Sequence, residues 1–121
     1  MGADGMAAQF SEYTWIVKSF KRNVMRGSLE LYILRYIAQK PIHGYALMNL
    51  FRRNNGVYFG PSEIYPRLKR LEREGLIECA GWTLNNGRPI KTYRITALGL
   101  KVLKALENEF NHKREQYAKP V

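Results

Sequence analysis

Carboxylates are scarce in this chain. Its 121 residues carry 10 Asp+Glu against 20 Lys+Arg, a formal net charge of +10. Such an excess points to a polyanionic partner, although charge alone does not separate DNA, RNA and acidic lipid. Between Cys79 and Thr96 the imbalance is complete, with Arg88, Lys91 and Arg94 and no acidic residue.

Cysteine is rarer still. The single Cys79 excludes an intrachain disulfide and fits a reducing cytosol. No apolar run approaches the roughly 18 residues of a membrane span. The leading MGADGMAAQF lacks the basic start and apolar block of a signal peptide, and Met6 stands where a myristoylation signal needs Ser or Thr. A cytoplasmic protein with no membrane partner is expected. The two histidines, His43 and His112, have no metal-ligand spacing to each other or to Cys79. No phosphate-binding glycine loop or paired-carboxylate pattern occurs, and Glu72, Glu74 and Glu78 read as a solvated run. The expectation is a non-enzyme with no metal or cofactor, in which His43, just before Gly44, caps or packs a helix start.

What is present is amphipathic patterning. With 45% hydrophobic residues the chain reads as one globular domain. Residues 1–6 lie outside any expected element. From Ala7 to Val24, apolar residues at Phe10, Tyr13, Val17, Phe20 and Val24 alternate three and four apart, a helix with a heptad-like stripe. Gly27 and Ser28 break and cap, and Leu31, Leu34, Ile37 and Ala38 give a second helical face closed at Lys40-Pro41. A third helix spans 43–53, with Tyr45, Leu47, Met48, Leu50 and Phe51 directed inward.

The fourth segment, GPSEIYPRLKRLEREG from Gly60 to Gly75, organises the rest. Ser62 reads as its N-cap and Gly75 as its left-handed stop. Ile64, Leu68 and Leu71 make an apolar face. Glu63, Pro66, Lys69, Arg70 and Arg73 occupy the opposite face, with Arg67 on its flank. Strands over 76–82 and 90–96 follow, joined through Thr83-Leu84-Asn85-Asn86-Gly87 as a hairpin tip. Thr96 then caps a final helix carrying Leu100, Leu103, Leu106 and Phe110. Helices 43–53 and 61–75 stand in helix-turn-helix order, and the basic hairpin supplies a wing.

The fold class expected is mainly α with a small β-hairpin: a winged helix-turn-helix with an extra N-terminal helix and a long C-terminal dimerisation helix. Three parts are expected: a tail and amphipathic helix over 1–27, the winged domain over 28–96, and a dimerisation helix over 97–121. Both terminal helices carry stripes longer than a three-helix core covers, which favours a homodimer. Phe10, Val17, Phe20, Leu103, Leu106 and Phe110 are its expected contacts.

Between Arg26 and Gly99 the segments GSLELYILRYI, PIHGYAL, SEIYPRLKRLEREGLI and GRPIKTYRIT, followed by ALG, resemble the PadR family of transcriptional regulators. The resemblance implies a winged-helix DNA-binding regulator, usually a repressor, in its small branch with a single C-terminal helix. Many members are released by phenolic or drug-like ligands. This chain has Ser62-Glu63 where many members carry a small pair, and its final helix has no tryptophan on which a ligand could stack.

The expected DNA set combines resemblance with the face analysis. Glu63, Pro66 and Arg70 lie nearest base edges, and Tyr65 and Lys69 hold phosphates, with Arg73 beside them. Arg88 and Lys91 reach an adjacent backbone or the minor groove. A small aromatic effector is considered between the terminal helices, near Phe10, Tyr13, Trp15 and Phe110, where core packing also accounts for the aromatics. A winged-helix module for protein interaction or RNA, without operator specificity, is the alternative.

Overall fold

The computed structural model describes the backbone of residues 3–118 and the side chains of 13–111. Five α-helices and three short strands follow one another: α1 (Ala3–Gly27), α2 (Leu29–Gln39), β1 (Ile42–His43), α3 (Gly44–Leu50), α4 (Pro61–Arg73), β2 (Ile77–Asn85), β3 (Arg88–Ile95) and α5 (Ala97–Ala118). This is the expected winged-helix order. Helix α1 starts at Ala3, earlier than the apolar stripe indicates.

Helix α4 packs as its pattern requires. Ile64, Leu68 and Leu71 are buried against Ile33, Leu34 and Ile37 of α2, Leu47 and Met48 of α3, and Ile77 and Tyr93 of the sheet, in one core. Its start differs from expectation. Gly60, not Ser62, is the N-cap, and its carbonyl accepts from the amides of Glu63 and Ile64, both at 3.0 Å. Pro61 explains the shift: its fixed φ and missing N–H suit the first helical position, so the helix begins one residue before the serine. Pro66 sits inside the helix and removes one amide donor. Gly75 follows the helix with φ 79°, as its stop requires.

The connection between α3 and α4 is held by rings. Helix α3 passes into a wider π-type turn over Phe51–Asn55 rather than continuing regularly to Arg53. Phe51 is fully buried and meets Phe59 edge-on at 5.6 Å and Tyr36 at 5.2 Å. Tyr36 Oη donates to Asn55 Oδ1 at 2.6 Å. His43 caps α3, its Nδ1 accepting from the Ala46 amide at 3.2 Å. Tyr45, expected inside, is 57% exposed.

The wing is the outer part of a three-stranded antiparallel sheet of order β1-β3-β2. Strand β1, only two residues, pairs Ile42 with Tyr93 and His43 with Thr92. Two residues are too few to show alternation in sequence, yet they anchor β3 to the start of α3. The hairpin turns at Asn86-Gly87, with φ 53° and 77°, the paired left-handed values of a type I′ turn. Thr96 caps α5, its Oγ1 accepting from the Gly99 amide at 3.0 Å.

The terminal helices divide their apolar residues. Leu103 is buried in the core of its own chain and Leu106 packs against that core, whereas Leu100 and Phe110 stay exposed. Among the described residues of α1, only Met25 joins the core; Tyr13, Trp15, Ile16, Val17, Phe20 and Val24 are exposed. Phe10 lies on α1 but outside the described side chains. No helix among the described residues is long and apolar enough to cross a membrane.

Gly99 is required by a close approach: a Cβ there would collide with the Leu76 carbonyl and with Ile95. Backbone cannot yield as a side chain does, so Gly99→Ala should lower unfolding free energy by about 1–3 kcal/mol. Gly27→Ala, which meets nothing within 4 Å, should show no such loss. Urea denaturation of both variants checks the pair.

Candidate nucleic-acid interface

The outward side of α4 sorts into paired and unpaired groups. Along its flank toward α1 and α2, Glu63 Oε1 is 2.9 Å from Arg26 Nε. Glu63 Oε2 is buried without a hydrogen-bond partner. Arg67 donates to the Glu63 carbonyl at 2.9 Å. Arg70 lies 3.0 Å from Glu74 and 3.4 Å from Glu30. The Glu74 hydrogen bond, with the Glu30 charge, holds the Arg70 pKa above its ordinary value. On the flank toward the wing, Lys91 Nζ sits 2.7 Å from Glu72 Oε2 and 5.3 Å from the Tyr93 ring centroid. That hydrogen bond from Lys91 to Glu72 raises the lysine's pKa.

Between these flanks lies the open strip. Among the described residues no carboxylate pairs with Lys69, Arg73 or Arg88. All three side chains are exposed, as is Pro66. Tyr65 packs its ring against Gly44 so closely that any Cβ at that glycine would strike it. The contact turns Tyr65 toward a groove of about 660 Å³ shared with Tyr45, Asn85, Asn86, Arg88, Pro89 and Ile90. The reading helix, the start of α3 and the tip of the hairpin therefore border one concavity.

Of the residues expected at the interface, Tyr65 and Arg88 meet in this groove, and Pro66, Lys69 and Arg73 form the exposed ridge beside it. Glu63 is turned to α1 and Arg70 to α2, while Lys91 is occupied by Glu72. Tyr45 is the residue the sequence reading missed. The buried positions of α3, Gly44, Leu47 and Met48, leave 45 off their stripe, and that offset was the available signal. Trp15 borders a groove beside Gly56 and Val57. No group of three or more His, Cys, Asp and Glu that could hold a metal occurs among the described residues.

Residues 33–105 match the profile of the Transcriptional regulator PadR-like family, which is more than half of the chain. The chain belongs to the PadR-like family. A transcriptional regulator of Mycobacterium tuberculosis is 33% identical over 82 residues, covering 68% of this chain and 75% of its own. A PadR family transcriptional regulator from Eggerthella lenta superposes with a TM-score of 0.74 at 30% identity, covering 88% of this chain and 93% of its own. A PadR-like regulator from Bacillus cereus does so at 0.68 and 28%, covering 78% and 92%. This PadR-like protein is accordingly a DNA-binding transcriptional regulator, of a family whose members are regulators and not enzymes.

Burial raises the Tyr93 pKa above the ordinary phenol value of 10.0. The folded state then keeps a proton that the unfolded chain has already released, so stability should fall as pH rises past about 10. The raised Lys91 pKa acts with the same sign above 10.5, because the folded state again holds the proton longer. Tyr93→Phe should flatten the alkaline limb of stability against pH, as followed by denaturation between pH 9 and 11.

Proposed function

We propose that the protein binds a (pseudo)palindromic operator as a cytoplasmic homodimer and represses transcription by occupying it. The observation that carries this reading is the sorting of cations: Lys69, Arg73 and Arg88 are left without carboxylates around a groove bordered by Tyr45 and Tyr65. An exposed ridge of this kind, at the surface where a winged helix reads DNA, suits phosphate neutralisation on both sides of an inserted α4. Lys69 and Arg73 hold backbone along α4, Tyr65 adds a hydroxyl contact, and Pro66 comes nearest base edges. Arg88 places the wing on the neighbouring backbone or minor groove. Arg70 and Lys91 bind phosphate only by exchanging it for Glu74, Glu30 and Glu72. Glu63 serves by gripping Arg26 at the leading turn, in place of the base contact its sequence position suggests.

The division into 1–27, 28–96 and 97–121 is kept in this reading. Exposed Val17 and Phe20 on α1, and Leu100 and Phe110 on α5, support a second copy of the chain as the cover of the terminal helices. Leu103 and Leu106, in or against their own core, hold α5 in place for that contact. Two reading helices would then lie about 34 Å apart on one face of the duplex. A small aromatic effector seated beside Tyr13, Trp15 and Phe110 would act across the same contact.

With three or four phosphates per half-site, affinity for a genomic promoter fragment should fall roughly as the sixth power of salt concentration or more steeply. Fluorescence anisotropy at several salt concentrations reads the slope. Replacing Lys69, Arg73 and Arg88 together by Gln should flatten it by several units. Glu72→Gln should steepen it by about one unit per protomer, because it releases Lys91. Equal binding to structured RNA, or a flat response, would favour the alternative module.

A further inference from the structure

A second group of cations with no carboxylate partner among the described residues lies away from the reading face. Glu30, Glu63, Glu72, Glu74, Glu78 and Glu107 ion-pair with Arg26, Arg35, Arg67, Arg70, Lys91 and Arg94. None of these carboxylates reaches Lys18, Lys21, Arg22, Arg52 or Arg53. At 100° per residue, Lys18, Lys21 and Arg22 fall on the side of α1 that also carries Met25. Met25 is buried, so that side overhangs the loop leading to α4.

Contacts fix the overhang. Arg22 Nη1 donates to the Tyr58 carbonyl at 2.8 Å, and Lys21 Nζ is 3.7 Å from where a Gly56 Cβ would stand. The Arg52 guanidinium lies 4.9 Å from the Tyr58 ring centroid. An open groove of about 330 Å³ separates helix from loop, lined by Trp15, Lys18, Ser19, Arg22, Gly56 and Val57. One turn beyond Arg22, Arg26 grips Glu63 at the leading end of α4. The cationic strip is thus continuous with the start of the reading helix.

We propose that this strip is a second rail for the DNA backbone, on which Lys18, Lys21 and Arg52 bind phosphates flanking the segment covered by α4 and the wing. The inference rests on the operator-binding reading above and extends its footprint. Like charges gathered without carboxylates repel one another, and a polyanion arriving from the α4 end relieves that repulsion along the whole strip. The groove is open, and its polar lining is two cations and a hydroxyl, a chemistry suited to a passing sugar-phosphate chain.

The test uses the full chain and a duplex it selects from a random-sequence library, offered as a core of roughly 20 bp and with arbitrary flanks to roughly 40 bp. Wild type should bind the longer duplex more tightly, with steeper salt dependence. In the variant Lys18→Gln/Lys21→Gln/Arg52→Gln, affinity for the longer duplex should drop about tenfold or more and its salt slope should flatten by roughly two to four units. Affinity for the core duplex should hold, which also shows that the variant is folded. Backbone footprinting of wild type gives a reading that needs no variant: protection should run past both half-sites. Unchanged affinity and slope in the variant, or a footprint ending at the half-sites, overturns the rail and leaves operator binding intact. Absence of any salt-dependent duplex binding by wild type would overturn the operator reading itself.

Discussion

Everything that α4 presents depends on how Phe51 meets Phe59. The two rings stand at the ends of the connection between α3 and α4, both wholly buried and edge-on at 5.6 Å. That connection is too long to set the angle between helices by turn geometry alone, as the tightest helix-turn-helix loops do. An aromatic clasp takes over the task. Tyr32 and Tyr36 close on Phe51 from α2, also edge-on, and each such pair contributes about 0.5–1.5 kcal/mol beyond the area it buries. With the loop ends clasped and Ile64, Leu68 and Leu71 sunk in the core, the direction of Lys69 and Arg73 is set by packing and not by the charges themselves.

Charge pairing then refines that face. The ion pairs around α4 join it to three neighbours: Arg26 on α1, Glu30 on α2 and Lys91 on β3. These groups are exposed or partly exposed, and solvent screening leaves such pairs little weight in stability. Their larger effect is on the surface potential. With few carboxylates available, spending them on the flanks of α4 removes charge from Arg70 and Lys91 and leaves the ridge between them uncompensated. A cationic surface is shaped here by where acids are placed as much as by where bases are.

Local chemistry was legible in the sequence where one segment determined it. The apolar stripe of α4, the Gly75 stop, the Asn86-Gly87 turn and the Thr96 cap all depend on residues within a few positions of each other. Strand β1 was not legible, because two residues show no period and its pairing with Tyr93 and Thr92 spans fifty positions. Nor were the partners of Glu63 and Arg70, since a helical wheel assigns a face but not the element that covers it. Tyr45 was placed inside by composition when its own position was off the buried stripe. The final helix shows the same limit: Leu100, Leu103, Leu106 and Phe110 look like one stripe, yet the domain takes the middle two and leaves the outer two exposed.

Helix α1 joins these levels. One side is fastened to the winged domain by Met25, by Arg22 on the Tyr58 carbonyl and by Arg26 on Glu63. The other side exposes Tyr13, Ile16, Val17, Phe20 and Val24. A helix with so much uncovered apolar surface gains its stability from whatever covers it. If a second copy of the chain is that cover, as proposed, any change in how the copies meet moves α1 as a lever. The Arg26–Glu63 pair carries that movement to the first turn of α4, where a buried carboxylate oxygen already lacks a partner. Dimer geometry and reading-helix geometry are then one variable, because the same rigid rod carries both contacts.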